Sequence, residues 1–217
     1  MEDVLGVYCR PYDATMPVVC LDEAAKQILS EAREPVPMKC GQVERVDSQY
    51  VREGTAAIFM AFEPLGGSRS VLVFVPNTTF VRERRTALDF ANVVRFVVEE
   101  KYADAVKVVI VLDNLNTHGV HSLYEAFDPV VAKRIADRIE WHFTPKHGSW
   151  LNMAEIELSV LAKQCLEERM ESQEFLTRQI AAWQERRNKA EAKVNWQFTT
   201  EQARIKLKQL YPQILTS

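Results

Sequence analysis

Lys107-Val108-Val109-Ile110-Val111-Leu112-Asp113 is the stretch on which the fold turns. Five aliphatic residues in succession leave no polar face, as expected of a strand buried on both sides in a parallel arrangement. The run stops at an acid. Upstream, Thr86 to Lys101 reads as a helix: Leu88, Ala91, Val94 and Val98 recur at helical spacing. Thr86 with Asp89 has the form of a capping box. Downstream, Val120–Phe127 and Val130–Ala136 read as short helices and Ile139–Phe143 as a second strand. Asn152–Met170, Glu174–Lys189 and Thr200–Leu210 read as three further helices.

Nearer the amino end, Thr55–Phe62 and Ser70–Val75 are β-rich runs. Pro64-Leu65-Gly66-Gly67-Ser68 joins them, so a hairpin is expected. Pro17–Asp22 (PVVCLD) is a short strand that also ends in an acid. Ala24–Arg33 reads as a short helix, closed by the break Glu34-Pro35-Val36-Pro37, and Arg45–Val51 as extended. Residues 1–16 form an irregular lead-in. A hairpin followed by βαβ units in one chain means an α/β protein with a mixed five-stranded sheet and helices on its faces. That order is the order of the ribonuclease H-like fold. The expected division is a lead-in at 1–16, a core at 17–172, and a helical C-terminal tail at 173–217 packed on or extending the core.

Composition narrows the class. The chain has 217 residues, 47% hydrophobic and 26% charged, the balance of a soluble globular domain with a real core. Its longest apolar run, Ala56–Phe62, is far short of a membrane span. Glu2 and Asp3 stand where a signal peptide would be basic. The cysteines, Cys9, Cys20, Cys40 and Cys165, make no C-x-x-C pair, so free thiols in a reducing cytoplasm are expected. No P-loop, G-x-G-x-x-G or H-E-x-x-H motif occurs, which argues against nucleotide-fuelled, dinucleotide-dependent and zincin chemistry. Net charge is −3, so the whole chain is no polycation.

Three acids stand out by position. Asp22 ends the first strand, Asp113 ends the buried one, and Glu155 begins the helix at Asn152. In mixed α/β sheets, ligands gather at the carboxyl ends of parallel strands. Two aspartates there repel each other unless a cation lies between them. Hard oxygen ligands suit Mg²⁺ or Mn²⁺, and a pair of such ions can activate water and steady the leaving oxygen of a phosphodiester. Each acid also has a plainer reading: a strand-end or Asx-turn residue for Asp22 and Asp113, a capping-box glutamate for Glu155. Glu23 and Glu157 compete for the same roles. Neighbouring strand residues face opposite ways, so Asp22 and Glu23 cannot share one metal. Glu155 and Glu157 lie roughly 200° apart around a helix. Spacing alone does not choose between them.

Three blocks carry a resemblance: VVCLDE at 18–23, VIVLDNLNTH at 109–118 and HFTPKHGSWLNMAEIELSVL at 142–161. In order and spacing they resemble the catalytic blocks of DDE transposases from bacterial insertion sequences related to the mariner superfamily. S-W-L-N-M-A-E is similar to that family's S-x-x-L-N-P-I-E segment, with Met153 in place of its proline. The resemblance places the third acid at Glu155. It implies a ribonuclease H-like core and two Mg²⁺ ions (Mn²⁺ as an alternative) held by Asp22, Asp113 and Glu155. It further implies cleavage of transposon-end DNA and attack of the freed 3′-hydroxyl on target DNA. A homodimer on DNA and a cytoplasmic, nucleoid-associated location follow from the same resemblance.

Accessory residues are Asn114 and His118 in a D-N-x-x-x-H pattern, and Lys146, His147, Trp150 and Asn152 before the acidic helix. They are expected to contact DNA or to steady the acids, with helix capping and buried packing as the plain alternatives. Arg82, Arg84 and Arg85 are candidates for phosphate contacts, or a solvated charged turn. Related enzymes carry amino-terminal helix-turn-helix modules, whereas the first catalytic strand here begins near residue 17, so a catalytic domain without that module is expected. Two other readings compete: a ribonuclease H-like nuclease that cuts without joining, and an inactive truncated copy acting as a partner or inhibitor of a full-length enzyme.

Overall fold

The computed structural model describes residues 1–32, 38, 40–41, 49–75, 82–146, 148–208 and 211, with 82–86 described by their backbone alone. One five-stranded sheet organises them. Its strands are β1 (Val18–Glu31), β2 (Tyr50–Glu63), β3 (Ser68–Phe74), β4 (Val108–Leu112) and β5 (Ile139–Phe143). They lie side by side as β3-β2-β1-β4-β5. β1–β2 and β2–β3 are antiparallel, while β1–β4 and β4–β5 are parallel. The sheet is therefore mixed, as the order of elements implies.

β4 is buried along its whole length, and its alternating side chains feed two cores. Val109 and Val111, with Cys20, join the core under α1 (Glu2–Tyr8), α5 (Met153–Cys165), α6 (Gln173–Lys189) and α7 (Thr200–Lys206). Val108, Ile110 and Leu112, with Val19 and Leu21, join the core under α2 (Arg82–Arg95), α3 (Val120–Ala126) and α4 (Pro129–Asp137). α2 continues as a π-helical turn, Phe96–Lys101. Thus the uniform apolar run at 108–112 exists because helices cover both of its faces.

Three expectations need correction. The lead-in is not irregular throughout: Glu2–Tyr8 is helical, and Val4, Leu5, Val7 and Tyr8 are buried in the first core. Ala24–Arg33 is not a helix, because β1 runs on to Glu31 in antiparallel register with β2, from Cys20↔Phe62 to Glu31↔Tyr50. Cross-strand pairing overrides local propensity there. The register shifts between Ile28 and Leu29, opposite Gly54, whose φ of +144° is a conformation glycine adopts at least cost. The helix begun at Asn152 ends at Cys165 rather than Met170. Met170 instead bridges to Ile28, and its carbonyl accepts from Leu29 N at 2.8 Å. The break at Glu34–Pro37 and most of Arg45–Val51 lie outside the described residues.

The hairpin turn has a specific need for glycine. Gly67 has φ +69°, and a Cβ there would stand 2.8 Å from the Glu191 carbonyl. α6 then covers β3, the sheet's outer strand. Gln184 Oε1 accepts from Val71 N at 2.6 Å. Asn188 accepts from Arg69 N and donates to Arg69 O, both at 2.9 Å. Two amide side chains thus stand in for a neighbouring strand and leave that edge less open to foreign pairing.

Candidate active site

The β1–β4 register puts Cys20 beside Val111. Two residues on, Asp22 and Asp113 come to the same level, and two-residue periodicity aims them to the side of Cys20 and Val111, where α5 lies. Asn152 brings the third acid to that face. It is fully buried; its Oδ1 accepts from Ala154 N at 3.1 Å, capping α5, and its Nδ2 donates to Leu21 O at 2.7 Å. One side chain therefore starts the helix and ties it to β1 next to Asp22. Glu155 sits in the first turn of α5 and is exposed. It does not close a capping box, because Asn152 N donates to Ser149 O at 2.7 Å. Tyr8, unsuspected from sequence, donates to Leu151 O at 2.6 Å and steadies the turn leading into α5.

Glu157 is committed elsewhere. It is 1% exposed. Its two carboxylate oxygens accept from Arg187 Nε and Nη2, both at 2.9 Å, and Arg69 Nε lies 2.9 Å from Oε1. Two guanidinium groups consume its charge, so it has none to offer an ion beside Asp22.

The acids feel one another. Burial pushes the Asp22 carboxyl up to about 6, against the lowering effect of the hydrogen bond from Glu23 N; the charges of Asp113 and Glu155 push it further, and His118 offsets part of this. His118 lies beneath Asp113. It is 4% exposed and stacks on Phe90 at 4.6 Å, and its Nδ1 is 2.6 Å from Asp113 Oδ1. With the carboxylate ionised, Nδ1–H donates, which orients Asp113. Glu23 belongs to the opposite face, and burial raises its carboxyl too.

The remaining candidates are spread around this centre. Asn114 is exposed beside Asp113, and Lys146 is exposed just past β5. Trp150 is 39% exposed in the 3₁₀ turn Ser149–Leu151; its ring stacks toward Trp196 at 6.5 Å and meets the edge of Phe198 at 6.0 Å. His147 and the side chains of Arg82, Arg84 and Arg85 lie outside the described residues. Among the described residues no group of three or more His, Cys, Asp or Glu stands close enough together to hold a metal ion. Asp22, Asp113 and Glu155 are hard oxygen donors, a set that in kind suits an oxygen-seeking divalent cation.

The mixed sheet is ribonuclease H-like and carries two aspartates at one level, Asp22 within β1 and Asp113 just past β4. The chain belongs to the DDE superfamily endonuclease family, which it matches over residues 17–177. No curated protein matches it. Among solved structures it is similar to a Mos1 mariner paired-end complex with Mn, at 16% identity and TM-score 0.51, over 87% of this chain and 54% of that one. It is also similar to a pre-cleavage Mos1 transpososome, at 16% identity and TM-score 0.35, over 88% of this chain and 60% of that one. The first is a likeness of fold, and the chain spans 54% and 60% of the length of those proteins. No helix among the described residues is long and apolar enough to cross a membrane.

Proposed function

We propose that this chain is the catalytic domain of a DDE transposase, cutting transposon-end DNA and joining the freed 3′-hydroxyl to target DNA. The observation that carries the reading is the level placement of Asp22 and Asp113 on β1 and β4, with α5 and Glu155 pinned beside them by Asn152. In this reading Asp22, Asp113 and Glu155 hold two Mg²⁺ ions, or Mn²⁺ in their place. Bound there, the ions supply an activated water and charge stabilisation for the leaving oxygen. The chain's own part is positional. His118 fixes one oxygen of Asp113, Asn152 fixes the start of α5, and the buried setting of Asp22 makes an empty site electrostatically costly.

DNA is the substrate and partner on this reading, gripped in part by Asn114, Lys146 and Trp150, with a second copy of the chain completing a dimer on DNA. A cytoplasmic, nucleoid-associated location goes with it. The test is metal-dependent nicking of plasmid DNA at low salt, compared with Asp113→Ala, followed by incubation with pre-cut ends. The expected result is nicking that falls more than about a hundredfold in the variant, an effect of several kcal/mol at a metal site, together with joined products. Nicking without joining would reduce the reading to a nuclease. Equal nicking by both proteins would remove it.

A further inference from the structure

The sheet has two outer strands, and they are finished differently. Beyond β3, Gln184 and Asn188 of α6 meet the outward backbone groups of Val71 and Arg69. No strand lies beyond β5. Val108 N donates to Arg138 O at 2.8 Å, and Thr144 N donates to Leu112 O at 2.9 Å. The even-numbered residues of β5 therefore spend their backbone groups on β4, and those of Ile139, Trp141 and Phe143 point outward. Among the described residues nothing pairs with them there. β5 also lacks the usual guards of a free edge, since Ile139-Glu140-Trp141-His142-Phe143 contains neither lysine nor proline.

The strand that fits this edge is β5 itself. Only outward-facing residues can exchange hydrogen bonds across a new antiparallel pair, so odd positions must meet odd positions. Pairing β5 with a second copy of itself, centred on Trp141, sets Trp141 against Trp141 and Ile139 against Phe143. Every outward group of the strand is then used. The same register sets Glu140 against His142 of the other copy, a carboxylate beside an imidazole. Sliding by two residues one way opposes Glu140 to Glu140, like charge to like. Sliding the other way opposes Ile139 to Pro145, which has no N–H to give. The odd-numbered side chains suit the centred register as well. Ile139 is buried, and Trp141 and Phe143 are half-buried, with their rings nearly parallel at 6.3 Å. The axis thus brings aliphatic and aromatic groups together across the pair.

We propose that β5 is a dimerisation edge: two copies of this chain join their sheets antiparallel through Ile139–Phe143, with the two-fold axis at Trp141. The contact needs neither DNA nor metal, and it stands whether or not the transposase reading does. Where both hold, it is the surface through which the second copy joins the first.

The experiment is sedimentation equilibrium of the full chain in EDTA, without DNA, over a wide range of concentration. The mass is expected to rise from the 24.9 kDa of one chain toward twice that value. Over the same range the amides of Ile139, Trp141 and Phe143 should exchange more slowly with solvent. Two variants test the register. Phe143→Pro removes an outward N–H and leaves the β4 ladder whole. Trp141→Lys puts two ammonium groups opposite each other on the axis. Each, once shown by thermal melting to be folded, should dimerise about tenfold or more weakly, a change of roughly 1.4 kcal/mol. If neither folds, the exchange measurement on the unaltered chain decides. A single-chain mass at every concentration overturns the proposal. So does a dimer that keeps its affinity in both variants, or one whose β5 amides exchange as fast as in the monomer, because another surface then joins the copies. Protection of those amides at the single-chain mass overturns it too, because another segment of the same chain then covers the edge.

Discussion

Asp22 is the residue whose ionisation the fold resists most clearly. Its carboxyl is raised from 3.8 to about 6, chiefly by burial and also by the charges of Asp113 and Glu155. A folded-state value above the unfolded one means that the native chain binds the extra proton. The resulting stabilisation is full below about pH 4 and is lost as pH rises through 6. At neutral pH without metal, the ionised site therefore lacks at most about 3 kcal/mol that it has in acid. Asp22→Asn should raise the melting temperature of the metal-free chain by several degrees at pH 7.5 and by roughly half as much at pH 5. Melting curves in EDTA at the two pH values check this, and an equal gain at both would refute it. Added Mg²⁺ should stabilise the unaltered chain at pH 7.5 more than the variant. The two glutamates of α5 separate in the same way. Glu155→Gln should cut nicking by more than about a hundredfold and leave the melting temperature nearly unchanged, because the side chain is exposed. Glu157→Gln leaves Arg69 and Arg187 facing a neutral group in a buried site and should cost about 3–5 kcal/mol of stability.

At the scale of elements, the sequence was most readable where one physical cause dominates. β4 is covered by helices on both faces and reads directly as an apolar run, β5 reads as a short strand, and α2 shows its periodic face. Residues 24–31 misled because their strand character comes from β2, with partners from Ile58 to Tyr50 well along the chain, and not from their own pattern. Asp113 was legible as an acid just past a strand end, whereas Asp22, expected to end its strand, lies within β1, which runs on to Glu31. The pairing of Glu157 with Arg69 and Arg187 is announced by no local spacing. The cover on β3 was equally hidden. Asn188 satisfies both backbone groups of Arg69 and also reaches its guanidinium at 3.2 Å. Asn188→Ala should thus cost about 1–3 kcal/mol, the penalty of unpaired buried backbone groups. It should also free the outer edge of β3 for strand pairing between molecules. Thermal melting reads the first effect, and light scattering against concentration reads the second. A variant as stable and as monodisperse as the parent would show that α6 merely lies against the sheet.

The described residues form two helical layers on one sheet, with Asp22 within β1, Asp113 just past β4 and Glu155 in the first turn of α5. The family match ends at residue 177, a few residues into α6, but the packing does not stop there. Leu176, Ile180 and Trp183 of α6 and Ala203 of α7 belong to the same core as Cys20, Val111 and Leu158. Arg204 of α7 pairs with Glu2 of α1, with both Nε and Nη2 at 2.7 Å from its carboxylate. That pair is exposed and contributes little. The burial of Trp183, however, and the charge match at Glu157 are large terms against the roughly 5–15 kcal/mol that holds a domain of this kind together. A chain cut after residue 172 should fail to fold cooperatively, since it loses Trp183 and Arg187 and bares β3. A chain ending at residue 208 should melt in a single transition. Circular dichroism melts and hydrogen exchange on the two chains decide the matter. If residues 1–172 gave a cooperative transition with protected amides in β3, then α6 would be an appendage, and the position of Glu155 would depend on Asn152 and β1 alone.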